Sequence, residues 1–147
     1  MIYNIKNIEL TEQRYNEILE LYNVFSKTDQ NVLTFEKFKI IVTNLRDNNN
    51  HNIFFYIDDN DTIVGAVTLL IEQKIIHNGK CCGHIEDFVV HKDYQKQGIG
   101  TKLIDYATRL AIENNCYKCI LDCDPDLENY YAKGGFMKKG TYMAKYF

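Results

Sequence analysis

A short polar segment with two glycines lies between an apolar run and an amphipathic stretch, and its residue types suit the binding of a phosphate. The segment comprises Gln95, Lys96, Gln97, Gly98, Ile99 and Gly100. The first N–H groups of a helix have no intrahelical partner and lie at the positive end of the helix dipole, so they can bind an anion. Gly98 and Gly100 would let the backbone approach a pyrophosphate. The residues alone leave an ordinary glycine turn as the alternative.

Adjacent carboxylates precede this segment in an otherwise apolar strand, where Glu86 and Asp87 follow Ile85. Because successive strand residues point to opposite faces, we expect at least one of the two carboxylates to be partly buried, which is costly without a partner or a function. Asp122 lies in a later predicted strand. These acids could therefore belong to a functional site, and from the residues alone a structural ion pair with a lysine explains them equally well.

Tyr131 carries a phenol, a group that can serve as a proton donor in catalysis. It follows Tyr130 and is one of eleven tyrosines in the chain. A ring that merely fills the core is therefore the alternative interpretation of Tyr131.

Cysteines near the C-terminal third invite a metal interpretation. Cys116 and Cys119 are followed by Cys123, but no second pair stands at metal-site spacing. We therefore expect five reduced thiols, with those of Cys116, Cys119 and Cys123 buried, and expect no metal.

Length and composition indicate how many domains the chain has and which partners it is expected to bind. The 147 residues fit one domain, residues 1–147, of ordinary globular composition. The net charge of -3 provides no basic field for nucleic acid, so none is expected as a partner. The N-terminus resembles no signal peptide, and no apolar run approaches the ~20 residues that span a bilayer, so we expect a cytoplasmic protein.

The hydrophobic pattern predicts a mixed α/β domain with helices packed on a central sheet, in the order β-α-α-β-β-β-α-β-α-β. Thr11 and Thr34 are predicted N-caps of two helices, which reach to Phe25 and Leu45, and residues 48–52 form a predicted surface loop. Strands are predicted at residues 3–8, 53–57, 63–76, 82–90 and 117–123 and from Phe136 toward the C-terminus. Further helices are predicted at residues 99–114 and 127–133.

Several motifs together resemble the GNAT superfamily of acetyltransferases, and Gln95-x-x-Gly98-x-Gly100 is similar to its pyrophosphate-binding signature. Within the superfamily the chain most resembles the glucosamine 6-phosphate N-acetyltransferase family, from about Ile63 to Gly135. The further motifs are Glu72-x-Lys74-x-Ile76-His77, Gly83-His84-Ile85-Glu86-Asp87, Cys116-Tyr117-Lys118, Ile120-Leu121-Asp122-Cys123 and Tyr131-x-Lys133-x-Gly135-Phe136. The resemblance implies a GNAT-like fold with a central, mostly antiparallel twisted sheet flanked by helices.

The resemblance also implies acetyl-coenzyme A as co-substrate, with no metal. Tyr131 would be the general acid, Glu86 the acceptor of the amine proton, and Asp122 would orient the sugar or its amino group. The residues implied in cofactor binding are Phe88, Val89, Val90, Gln95, Lys96, Gln97, Gly98, Ile99, Gly100, Tyr131 and Lys133. The residues implied in substrate binding are Lys74, His77, Glu86, Asp87, Asp122, Cys123, Lys145 and Ser26, with Thr28 as an alternative to Ser26.

The implied reaction transfers the acetyl group to the amine of D-glucosamine 6-phosphate by direct attack in a ternary complex. The product is N-acetyl-D-glucosamine 6-phosphate, on the route to UDP-N-acetylglucosamine. Two alternatives are another primary amine, such as a protein lysine, a polyamine or an aminoglycoside, and a non-catalytic sensor that binds acyl-coenzyme A. The resemblance further implies a homodimer, with its C-terminal strands exchanged or packed across the interface and the sugar site close to that interface.

Two positions depart from the family pattern. Leu127 replaces an Asn that contacts coenzyme A, which removes a hydrogen bond worth ~1 kcal/mol, and Asn129 is the candidate substitute. Near the C-terminus, Lys145 replaces an Arg that binds the sugar phosphate, and a Lys lacks the bidentate geometry. These changes leave the implied reaction class intact and bear on the substrate.

Overall fold

The computed structural model describes residues 1–147 and contains one five-stranded sheet in the order β1-β2-β3-β4-β5. The strands are β1 (Ile2–Asn4), β2 (His51–Ile57), β3 (Ile63–Gln73), β4 (Cys81–Val90) and β5 (Cys116–Ile120). Neighbours from β1 to β4 are antiparallel, whereas β5 runs parallel to β4. The predicted class, a mostly antiparallel sheet flanked by helices, is confirmed.

All helices except one single turn, which was not predicted, begin where local sequence signals predict. They are α1 (Glu12–Tyr22), α2 (Phe35–Arg46), the single turn α3 (Ile76–Gly79), α4 (Ile99–Glu113) and α5 (Glu128–Lys133). The hydroxyls of Thr11 and Thr34 cap α1 and α2, since they accept hydrogen bonds from the N–H groups of Arg14 at 3.2 Å and Lys37 at 3.4 Å. None of these helices is long and apolar enough to cross a bilayer.

Apolar side chains pack on both faces of the sheet. One cluster lies under α1 and α2 and includes Tyr15, Ile18, Phe38, Val42 and Phe55. The other lies under α4 and includes Phe54, Leu69, Leu103, Ala107 and Tyr131. Phe54 and Phe55 are neighbours in β2 and fall in different clusters, as the alternation of side chains along a strand requires. We refer to these two surfaces of the sheet as the α1 face and the α4 face.

A β-bulge interrupts β4 at the predicted acidic pair. The pairing of β3 with β4 shifts between Ala66, opposite Val89, and Thr68, opposite Glu86. Asp87 has a φ of 46°, in the left-handed region that non-glycine residues rarely adopt. The strict alternation that assigned Glu86 and Asp87 to opposite faces therefore does not hold at Asp87. Glu86 is partly buried, as expected, and Asp87 is exposed.

Several elements are shorter than predicted because backbone contacts end them. After β1, the Asn4 side chain accepts a hydrogen bond from the Lys6 N–H at 3.0 Å, and the chain turns into a 3-10 helix instead of continuing as a strand to Ile8. Helix α1 ends at Tyr22 rather than Phe25. Strand β3 ends at Gln73 rather than Ile76, and the turn beyond it has left-handed angles at His77 and Asn78. The predicted loop 48–52 is shorter too, since β2 starts at His51.

The predicted last strand, from Phe136 onward, is not present. Residues 136–147 have no regular structure, and Met143 and Tyr146 are 88% and 89% exposed. A strand needs a neighbour to satisfy its backbone groups, and this segment pairs with none in its own chain. The alternating pattern of the tail was therefore insufficient evidence for a strand within one chain.

Candidate active site

The last two strands diverge and open a cleft. Strands β4 and β5 pair only as far as His84 and Ile120, although β4 continues to Val90. The predicted strand 117–123 therefore ends at Ile120, because β4 no longer lies beside it. From Ile85 to Val90 the edge of β4 that faces β5 has no strand partner, so backbone groups of this stretch are available to a ligand.

The side chains of Gln95 and Gln97 stabilise the loop that follows β4. The Gln95 amide donates a hydrogen bond to the Val90 carbonyl at 3.1 Å, and the Gln97 amide donates to the Asp93 carbonyl at 3.2 Å. Lys96 has a φ of 62° and Gly98 a φ of 79°. These two glutamines thus act through the loop backbone, and a ligand role for their side chains is not needed to explain them.

The first turn of α4 carries free N–H groups. Gly98 is the N-cap and offers no side chain to cap the helix, and the first intrahelical bond runs from the Lys102 N–H to the Gly98 carbonyl at 3.1 Å. The N–H groups of residues 99–101 thus have no partner, and the first turn contains no acidic residue. This is the arrangement expected at an anion site. The Ile99 side chain is buried at 5% exposure and serves the core.

Aromatic rings explain the second glycine. A β-carbon at Gly100 would stand 2.6 Å from the Tyr130 hydroxyl and 3.0 Å from the Phe88 ring. Phe88 and Tyr130 lie parallel, with ring centroids 6.2 Å apart. Gly98, in contrast, has open space around it and is required by its positive φ. Close approach of Tyr130, rather than of a phosphate alone, therefore restricts position 100.

Tyr131 fills the core with its ring, and its phenol stays protonated; its role as the general acid stays a prediction. Its side chain is 8% exposed, and its ring makes edge contacts with Phe88, Tyr130 and Phe136 at 5.1–6.1 Å. Burial raises the pKa of the Tyr131 phenol to about 12, and the neighbouring Cys123, Tyr130 and Asp122 add to that effect. The phenol therefore keeps its proton at neutral pH, as a hydrogen-bond donor to a departing thiolate must.

Glu86 reaches the sheet surface on the α1 face. It lies opposite Thr68 in the β3–β4 register, so the two side chains leave the same face. Burial raises the pKa of Glu86, and the negative charges of Asp122 and Asp87 raise it further. A carboxylate with a raised pKa holds a proton more readily, which suits a group that accepts one from an amine.

Three polar residues of the α1 face escaped the sequence interpretation. Tyr22 ends α1, and its pKa is raised by burial and then by the charge of Asp87. His51 begins β2, and burial lowers its pKa while Asp87 opposes that shift. Thr68 lies in the middle of β3 at 2% exposure. The helical spacing of Tyr22 marked it as a core residue, and no signal in the sequence distinguishes its hydroxyl.

The residues implied in phosphate binding lie at the other end of β4. Lys74 Nζ pairs with a Glu72 carboxylate oxygen at 2.5 Å, and His77 stacks on Tyr117 with centroids 4.0 Å apart. The Lys74 N–H bonds the Lys80 carbonyl, and Lys80 precedes Glu86 by six residues. At ~3.3 Å per residue the two positions are roughly 20 Å apart along the strand. The structure does not bring Lys74 and His77 together with Glu86 within one chain.

The other residues that the resemblance implies in ligand binding lie on separate segments of the chain. Ser26 is exposed beyond α1, where its N–H donates to the Tyr22 carbonyl at 3.3 Å. Lys145 lies on the tail, with Nζ 5.6 Å from the centre of the Phe147 ring. Lys133, at the end of α5, is exposed, and Leu127 just before α5 is 45% exposed. Their binding roles stay predictions.

The cysteines are free, but they are less buried than predicted. Only Cys82 is fully buried, and the others are half-buried. Burial raises the pKa of the thiols of Cys82, Cys116 and Cys123, and it raises that of Cys119 to about 11. These thiols are thus poor nucleophiles at neutral pH. No three His, Cys, Asp or Glu side chains form a group that could hold a metal ion.

The fold and this cleft define a class of protein. A model of the acetyltransferase (GNAT) family matches residues 13–136, and the chain belongs to that family. It is 42% identical over 85 residues to a probable glucosamine 6-phosphate N-acetyltransferase 2 of Oryza sativa, a match that covers 58% of this chain and 51% of that protein. It is 38% identical over 84 residues to a glucosamine 6-phosphate N-acetyltransferase of Schizosaccharomyces pombe, covering 57% of this chain and 76% of that protein.

Similarity of structure covers the whole chain. The crystal structure of glucosamine-6-phosphate N-acetyltransferase from Arabidopsis thaliana superposes with a TM-score of 0.90 at 27% identity, covering 100% of this chain and 97% of that one. The chain therefore shares its complete fold with that protein. In sequence, the match spans about half the length of the Oryza relative.

Proposed function

We propose that the chain is a single-domain N-acetyltransferase that moves the acetyl group of acetyl-coenzyme A to the amine of D-glucosamine 6-phosphate. The product is N-acetyl-D-glucosamine 6-phosphate, on the route to UDP-N-acetylglucosamine, and the place of action is the cytoplasm. The observation that carries the proposal is the set of three groups at one cleft. These are Glu86 with its raised pKa, Tyr131 with its protonated phenol, and the uncapped first turn of α4. The names of the similar proteins supply the sugar phosphate.

The residues present fit acetyl-coenzyme A. The uncapped N–H groups of residues 99–101 suit its pyrophosphate, and the free edge of β4 around Phe88–Val90 suits its amide-bearing arm. Bound there, acetyl-coenzyme A supplies an activated thioester. N–H groups on the free edge of β4 are positioned to stabilise negative charge on the carbonyl oxygen of that thioester.

In this reaction Glu86 acts as the proton acceptor and Tyr131 as the proton donor. Glu86 accepts a proton from the amine, directly or through one water, and Asp87 and Asp122 attract and orient the ammonium form. Tyr131 donates its phenolic proton to the departing sulfur, and the phenol regains a proton from water as Glu86 releases to water the proton that it took from the amine. The transfer is direct, within a ternary complex, because the thiols of the chain are held protonated by burial.

The protein acts as a homodimer. Residues 137–147 have no strand partner in their own chain, and a second copy offers one. Lys74 and His77 stand too far from Glu86 to share one sugar phosphate with it, so these residues reach that phosphate only across a dimer interface. Sedimentation showing only monomer at micromolar concentration would contradict the dimer.

A thiol-release assay tests the reaction. Purified protein and acetyl-coenzyme A are combined separately with glucosamine 6-phosphate, glucosamine, a polyamine, a lysine-containing peptide and an aminoglycoside. We expect the fastest thiol release with glucosamine 6-phosphate. Equal turnover with unphosphorylated glucosamine would reject the phosphate specificity, and a faster rate with another amine would replace the acceptor. Binding of acetyl-coenzyme A without turnover of any amine would favour the sensor.

A further inference from the structure

Two cysteines lie side by side where the last pair of strands begins. Cys81 is the first residue of β4 and Cys116 the first of β5, and they are register partners in the parallel pairing of these strands. The Cys81 N–H donates to the Asn115 carbonyl at 3.2 Å, which holds the two strand starts at the same level. Both side chains pack against the apolar cluster under α4. The two sulfurs therefore leave neighbouring strands on the same face of the sheet.

The spacing of the two strands suits a disulfide. Neighbouring strands lie ~4.7–4.9 Å apart, and the Cα atoms of bonded cysteines are usually ~4.4–6.8 Å apart. Cys81 and Cys116 can thus be joined without separating β4 from β5. Both are free thiols and only half-buried, so a small oxidant can reach them.

The other three thiols are placed less well for a bond to either member of this pair. Cys82 is 1% exposed, and as the next residue of β4 it leaves the opposite face. Cys119 is the register partner of Gly83, and a β-carbon at position 83 would stand 2.9 Å from the Cys119 sulfur. Cys123 lies beyond the end of β5. The register therefore favours one pairing over all others.

Strand β5 is attached to the sheet on one side only. It is an edge strand of five residues, and its one neighbour is β4. The pairing of the two strands ends at His84 and Ile120, where the cleft opens. A covalent link at the first pair would hold the start of β5 in place and would close a loop of the chain that contains all of α4.

We propose that Cys81 and Cys116 form a reversible disulfide in the presence of hydrogen peroxide, and that this bond tethers β5 to β4. One thiol first reduces the peroxide, which yields a sulfenic acid and one water. The other thiol then attacks the sulfenic sulfur, so that the S–S bond forms and a second water leaves. The two sulfurs lose two electrons and the peroxide gains them, and a small dithiol such as dithiothreitol reverses the change by thiol–disulfide exchange. Neither cysteine is among the residues implied in acetyl transfer, so the bond can be tested independently of that reaction.

Peptide mapping tests the bond itself. The reduced full-length protein is treated with hydrogen peroxide at about pH 8.5, because burial raises the pKa of the Cys116 thiol and a larger fraction of it is ionised there. Remaining thiols are blocked with N-ethylmaleimide, and trypsin then cleaves after Lys80 and Lys118, which separates Cys116 from Cys119. We expect linked peptides that contain Cys81 and Cys116 and that separate in dithiothreitol. No link, a different pairing, or a link between two chains on a non-reducing gel would overturn the proposal.

Serine variants and thermal unfolding test the tether. Oxidation should raise the melting temperature of the wild type by roughly 5–10 °C above that of the reduced protein, because the bond restricts the unfolded chain. Cys81→Ser and Cys116→Ser should each lose both the link and this rise. Cys119→Ser is the matched control, since it removes a neighbouring thiol of β5 and keeps the pair, and it should show both.

Two further outcomes would count against the tether. A link that persists in Cys81→Ser would assign the bond to Cys82, which lies in the same tryptic peptide, and would overturn the pairing. A link between Cys81 and Cys116 without a rise in melting temperature would show that the bond does not stabilise the attachment of β5.

Discussion

Gly100 lies directly against Tyr130, so that a β-carbon at position 100 would stand 2.6 Å from the tyrosine hydroxyl. The Phe88 ring, parallel to that of Tyr130, bounds the same space. The first turn of α4 and the start of α5 are thereby joined at one point. Any side chain at position 100 must displace Tyr130 or tilt the first turn of α4, whose N–H groups have no partner.

Gly100→Ala should weaken acetyl-coenzyme A binding by about tenfold, since overpacking of this kind costs ~1–3 kcal/mol. Calorimetric titration measures the affinity. Adding Tyr130→Phe removes the closest atom and should restore part of the loss. Gly140→Ala is the control, because that position has open space around it. An equal loss in both glycine variants, or no rescue, would reject the steric explanation.

Tyr131→Phe should lower kcat by roughly 10²–10⁴, the usual contribution of a general acid, while the Kd of acetyl-coenzyme A stays the same. The phenylalanine ring still fills the space between Phe88 and Phe136, so the fold should be unaffected. Steady-state kinetics and calorimetry measure the two quantities. Tyr106→Phe, in the same apolar cluster, is the control and should leave kcat unchanged. Full turnover by the Tyr131 variant would reject this residue as the acid.

The pH dependence of the rate should report Glu86. Because its pKa is raised above 4.5, kcat/KM should fall as the pH decreases through that raised value, where Glu86 becomes protonated. Glu86→Gln should lower the rate and remove this limb from the pH profile. A limb that persists in the variant would assign the titration to another group.

The raised pKa of Glu86 also predicts how the stability of the fold depends on pH. A raised carboxyl pKa means that the folded state binds the proton more tightly than the unfolded state, so stability falls as the pH rises from 4.5 through the raised value. Glu86→Gln should therefore raise the melting temperature at pH 7 more than at pH 4. Thermal unfolding at both pH values checks this, and a decrease at pH 7 would contradict it.

Two substitutions of Asp87 should separate the effect of its charge from the effect of its backbone conformation. Its φ of 46° is tolerated by Asn far better than by Ala. Asp87→Asn should keep the stability of the wild type and raise the acceptor KM, because it removes the charge that attracts the ammonium group. Asp87→Ala should lose a further ~1 kcal/mol of stability from strain. Chemical denaturation and kinetics measure both effects, and equal stability of the two variants would show that the bulge imposes no strain.

Features that depend on neighbouring residues in the chain were predicted well. The caps at Thr11 and Thr34, the turn at Gly98 and the amphipathic helix after it follow from local hydrogen bonds and from one buried face. Glu86 and Asp87 drew attention because polar groups in an apolar run are conspicuous, whereas Tyr131 was chosen from the family resemblance; their catalytic roles stay predictions.

Features that depend on distant segments were not predicted. The bulge at Asp87 arises from register with β3, and β5 ends where β4 diverges from it. The proximity of Tyr22 to Thr68 brings a helix end to the middle of a strand far along the chain. The tail after Phe136 has the alternation of a strand and lacks only a neighbour, which local sequence does not supply.

The unpaired hydroxyls of Tyr22 and Thr68 also bear on attempts to engineer this protein for heat resistance. A design procedure that scores only the folded chain would choose Phe and Val at these positions early, because each change removes an unsatisfied buried group. Thr68 stands opposite Glu86 in the strand register, however, so these changes also alter the surroundings of the candidate proton acceptor. Retaining both residues is therefore the first constraint to impose on such a redesign.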